Sequence, residues 1–61
     1  MSNLAELREK QCEILFDLLE IQKLNQGVVV KGLDSKIIRC KATMKSEDIK
    51  HVEDMVANLK I

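Results

Sequence analysis

A helical pattern runs without interruption from Asn3 to about Leu24 and takes up more than a third of the 61 residues. Leu4, Leu7, Ile14, Leu18 and Ile21 recur at spacings of three and four, or multiples of these, and almost every residue between them is a good helix former. Ser2 or Asn3 supplies a cap at the start, and Asn25-Gln26-Gly27 supplies the stop. From Asn3 to Leu24 the rise is about 33 Å, whereas a compact globule of this chain length is only about 27 Å across. The first helix therefore overhangs whatever the other residues build against it.

Its apolar surface is also wider than one core requires. At about 100° per residue the apolar side chains between Cys12 and Ile21 spread over roughly 220°, more than twice the ~100° stripe that suffices to face a core. Cys12, Leu15, Phe16 and Leu19 lie beyond the main seam, on the arc that a short chain is least able to cover. They are expected at a subunit interface, in a homodimer or higher oligomer whose first helices pack together, with each additional buried Leu or Phe contributing roughly 1.5–3 kcal/mol. The remaining arc carries Glu6, Glu13, Asp17 and Glu20, with Glu9 at its edge. This acidic stripe is most simply a solvated face, and a basic surface on a partner is the functional alternative.

The last segment, residues 46–60, reads as another helix. Ser46 is its expected cap, Glu47 and Asp48 complement the helix dipole in the first turn, and Ile49, Val52, Val56 and Leu59 repeat at three, four and three, with Met55 widening the face. Between the two helices the residue types are those of strands. Ile38, Cys40, Ala42 and Met44 alternate with Arg39, Lys41 and Thr43, Val28 to Val30 is a second β-rich run, and Gly32-Leu33-Asp34-Ser35 is a plausible connection. The expected fold is α+β: a long N-terminal helix over about 3–24, a β-hairpin over about 28–44 and a C-terminal helix over about 46–60, in one small domain of residues 1–61. The competing reading is an all-α helical hairpin, capped at Asp34, that forms a bundle. A lone hairpin is marginal and keeps two open edges, which adds to the expectation of an oligomer.

A chain this short buries only about 60% of its unfolded surface, so a staple, a metal or a partner is needed. Cys12, Cys40 and His51 are the only soft metal-ligand candidates, and their spacing matches no zinc pattern. Both cysteines fall on apolar faces, where the residue behaves as a small hydrophobe. No metal and no cofactor are expected. The chain opens on the polar MSNLAELREK, without a signal-peptide pattern, and its longest apolar stretch, ILFDLLEI, is broken by Asp17 and well short of the ~20 residues of a membrane span. A cytoplasmic protein with reduced thiols follows, with no membrane partner.

Ten basic residues balance ten acidic ones, so there is no general attraction to nucleic acid or anionic membranes. The distribution is uneven: residues 28–45 hold Lys31, Lys36, Arg39, Lys41 and Lys45 against Asp34 alone. That basic strip is the candidate contact with an acidic protein partner or, less favoured, with the phosphates of a nucleic acid or nucleotide, since stacking aromatics are missing apart from Phe16. Edge lysines that discourage unwanted strand pairing are the plainer explanation. Catalysis would need Cys12 or Cys40 beside His51 in a pocket that this chain has little room to build. The expectation is a small, homo-oligomeric, non-enzymatic binding protein that regulates or inhibits a larger macromolecular target. The alternative is an anion binder using the basic segment. Short chains of this kind include regulators and inhibitors encoded by phages and other mobile elements, which is a prior set by size.

Overall fold

The computed structural model describes residues 3–60, and these form three helices: α1, Leu4–Leu24; α2, Leu33–Ala42; and α3, Ser46–Ala57. No strand occurs among the described residues, so the hairpin expected over 28–44 is corrected to a loop followed by α2, and the all-α alternative describes the chain. As a strand, Ile38 would share an inward face with Cys40, Ala42 and Met44. In the structure Ile38 is 68% exposed while its neighbour Ile37 is buried. The burial pattern Leu33, Ile37, Cys40, Met44 follows steps of four, three and four, the helical repeat. Two β-branched isoleucines lower helix propensity by only a few tenths of a kcal/mol each, whereas burying Leu33 and Ile37 stabilises by roughly 1.5–3 kcal/mol each. Tertiary burial therefore outweighs local strand preference.

Local chemistry supports the helix at both ends. Gly32 precedes it in the left-handed region at φ 81°, a conformation that costs glycine least, Asp34 lies in the first turn, and Arg39 and Lys41 lie in the last. Asp34, expected as a cap, is thus one residue inside the helix. At α3 the same one-residue difference appears: Lys45, extended at ψ 147°, occupies the cap position and Ser46 is the first helical residue, without a side-chain capping bond. Asn3 precedes α1, also with no side-chain capping bond; Ser2 lies outside the described residues. At the far end Asn25 Nδ2 donates to the Ile21 carbonyl at 2.7 Å and its backbone N–H donates to the same oxygen at 3.1 Å, which ends α1 just ahead of Gly27 at φ 83°.

Each helix contributes two residues to the core: Leu15 and Leu19, Leu33 and Ile37, Val52 and Val56, of which Leu15 and Val52 are wholly buried. Both shorter helices pack mainly on α1. The end of α2 lies level with Gln11, whose Nε2 donates to Thr43 Oγ1 at 3.1 Å, and α2 runs back along α1 so that Leu33 joins Leu19. In contrast, α3 runs with α1, Asp48 beside Arg8 at one end and Val56 beside Lys23 at the other.

Lys23 does something the helical pattern does not announce. Its ammonium donates to the carbonyls of Val56 at 2.8 Å and Leu59 at 2.9 Å, with Ala57 at 3.4 Å, and so supplies positive charge to the C-terminus of α3, whose own last turn has no basic residue. Lys23→Met keeps the stem but removes the donors. It is expected to lower stability by about 1–2 kcal/mol, read as a lower urea midpoint; an unchanged midpoint would refute the capping role.

Candidate functional site

The broad apolar arc of α1 is divided between core and solvent, and two of the four residues expected at a subunit interface fall on the core side. Leu15 and Leu19, assigned to a subunit interface, are inside the protomer's own core at 0% and 8% exposure, with Cys12 and Phe16 half-buried against them. Because α2 and α3 both settle on this arc, Leu15 and Leu19 have no surface to offer a second copy. The seam read as the main one is left outside. Leu7, Ile14 and Ile21 are 53%, 54% and 41% exposed, Leu4 and Leu24 are more exposed still, and Leu18 is half-buried. These side chains fall on one side of a helix about 32 Å long in a body measuring 43 × 24 × 16 Å.

Two open grooves flank α1. One, about 670 Å³, lies under the loop of residues 25–30 and is lined by Leu19, Lys23, Val30, Leu33, Asp34 and Val56 among others. The other, about 500 Å³, lies between α1 and α3 over Cys12, Phe16 and Met55, with Glu9, Glu13 and Asp17 along one wall and His51 on the other. Cys12 and His51 thus share a groove. A nucleophilic pair needs a thiol pKa held down, whereas burial pushes the Cys12 thiol up, with Asp48 adding to the rise. Cys40 is raised for the same first reason, and its Sγ donates to the Gln11 carbonyl at 3.7 Å. Both are free thiols. Among the described residues no group of three or more His, Cys, Asp or Glu is placed to hold a metal ion.

The basic residues do not converge. Lys31, Lys36, Arg39 and Lys45 are exposed, but on a helix Lys36 and Arg39 stand about 60° apart while Lys41 points about 140–160° away from them. Lys41 Nζ is paired with Glu53 at 3.1 Å, tying α2 to α3. The strip expected along a strand face is therefore dispersed around α2 and its ends.

Arg8 and Asp48 form a two-pronged pair, Nε to Oδ2 at 3.0 Å and Nη2 to Oδ1 at 2.9 Å, that fixes the start of α3 to α1. The hydrogen bond from Arg8 holds the Asp48 carboxyl below its ordinary value; partial burial opposes this, and the charges of Arg8, Lys45 and His51 assist it. A carboxyl with a depressed folded pKa adds stability above its unfolded value of about 3.9, and that contribution is lost as pH falls through the lower folded value. Asp48→Asn is accordingly expected to flatten the decline in unfolding midpoint below about pH 4. An acid limb as steep as that of the parent chain would contradict this.

No protein-family model matches the chain, and neither curated proteins nor solved structures include a significant match. Among the described residues no helix is long and apolar enough to cross a membrane.

Proposed function

We propose that the chain is a small, non-enzymatic binding protein that works as a homo-oligomer. Copies join through the outward seam of α1, and the assembly acts on a larger macromolecule by occupying part of its surface, as a regulator or inhibitor does. The observation that carries this reading is the seam itself: Leu7, Ile14 and Ile21 stand 41–54% exposed along one side of the longest helix.

Area supports a second copy as the occupant. The chain leaves 5013 Å² accessible, whereas a compact monomer of its 7.0 kDa mass exposes about 4,000 Å². The excess of about 1,000 Å² is close to the ~800 Å² per partner that a standard stable interface buries. A self-matching aliphatic stripe also suits the two-fold contact by which most homodimers form. With the seam covered, the acidic groove of Glu9 and Glu13 and the exposed Lys36 and Arg39 remain available to a target. The anion-binding alternative has less behind it, because Lys41 is engaged by Glu53 and only Lys36 and Arg39 are left sharing one side of α2.

Sedimentation tests the proposal directly. The parent chain at micromolar concentration is expected at about twice 7.0 kDa or more, and a variant with the seam made polar is expected at the protomer mass. A parent chain that stays at the protomer mass throughout a concentration series would refute it.

A further inference from the structure

We infer that the two copies pair along α1 in antiparallel orientation about a two-fold axis, Leu7 of one facing Leu18 of the other and Lys10 of one facing Asp17 of the other. This rests on the self-assembly proposed above and adds to it a direction, a register and a pair of residues that select the partner.

The register follows from the spacing. Leu4, Leu7, Gln11, Ile14, Leu18 and Ile21 alternate steps of three and four, the repeat that lets two helices interdigitate along a seam. Antiparallel apposition sets Leu4 against Ile21, Leu7 against Leu18 and Gln11 against Ile14, each layer occurring twice. A parallel pair would bring the two Gln11 side chains together, the usual way in which a polar seam residue fixes a parallel register. Here the Gln11 amide is turned instead to Thr43 of its own chain.

The two edges of the seam differ, and only one is open. On one side α2 closes it from Gln11 onward, with Leu15 beneath. On the other stand Lys10 and Asp17, both exposed, seven residues apart and opposite in charge. Antiparallel pairing places open edge against open edge, so each Lys10 meets the Asp17 of the other copy and the attraction occurs twice. Parallel pairing places the open edge against the covered one, where Lys10 meets Leu15 and Asp17 meets Gln22, with no opposite charge in either place.

A charge exchange tests the arrangement, using Lys10→Glu and Asp17→Lys as separate full-length variants at about 0.15 M salt, where charges more than ~8 Å apart are screened. Both sites are exposed, and circular dichroism verifies that each variant keeps its helices. Each alone is expected to self-associate about tenfold more weakly than the parent, since both cross pairs become repulsive. An equimolar mixture is expected to recover parent-like affinity and, in native mass spectrometry, to form mostly mixed dimers, since the carboxylate introduced by Lys10→Glu in one copy then meets the ammonium introduced by Asp17→Lys in the other. A dimeric parent whose two variants dimerise unchanged, or whose mixture shows no preference for mixed dimers, overturns the antiparallel register and leaves self-assembly standing. A monomeric parent overturns both.

Discussion

Leu15→Ala is expected to abolish cooperative unfolding. Leu15 is wholly buried in a core that holds six of the described residues, flanked by half-buried Cys12 and Phe16. Removing its isobutyl group forfeits the transfer term and leaves a cavity, together about 3–5 kcal/mol. At 0.05–0.15 kcal/mol per residue a chain of this length has roughly 3–9 kcal/mol in total, so the loss consumes much or all of its stability. Far-UV circular dichroism through a urea titration would show a shallow, non-sigmoidal decline in place of a transition. Leu24→Ala is the informative contrast, because Leu24 is 58% exposed at the end of α1 and its truncation is expected to cost well under 1 kcal/mol. If Leu15→Ala melts within a degree or two of the parent, the assignment of this arc to the core is wrong.

The second large effect belongs to the opposite side of the same helix. Leu7→Gln, Ile14→Gln and Ile21→Gln combined are expected to leave the protomer helical and weaken its self-association by at least about three orders of magnitude. None of the three belongs to the buried core, and glutamine is a good helix former, so the loss falls on the interface. Because an interface that buries several aliphatic side chains adds stability by mass action, the melting temperature of the parent is expected to rise with protein concentration, and that of the triple variant to be constant. A triple variant that still sediments as the parent does would place the contact between copies elsewhere. The two experiments separate the faces: Leu15→Ala reads folding within one chain, and the triple variant reads the proposed contact between copies.

Much of the local structure was legible in the residues. The bounds of α1 follow from an unbroken run of helix formers and from Asn25-Gln26-Gly27, and the start of α3 follows from the acidic first turn and the Ile49, Val52, Val56 repeat, because these signals act through backbone propensity, capping and dipole within a few residues. The segment from Leu33 to Ala42 carried two periodicities at once: an alternation through Ile38, Cys40, Ala42 and Met44, and a helical step through Leu33, Ile37, Cys40 and Met44. Nothing local separates the two by more than a few tenths of a kcal/mol. The choice was made by the side of α1 that Leu33 and Ile37 bury against, and the basic residues were dispersed around the helix as a consequence. The capping of α3 by Lys23 and the Arg8–Asp48 pair join residues 33 and 40 positions apart, which no pattern within a segment encodes. The residues of α1 likewise determined that its apolar arc is too wide for the core of one short chain to cover, so that part of it is buried and part stays exposed. Only the packing of α2 and α3 decided which part is which, because a helix apolar over most of its circumference can bury either side at similar free energy, and the two short helices fit where Leu15 and Leu19 meet Ile37 and Val52.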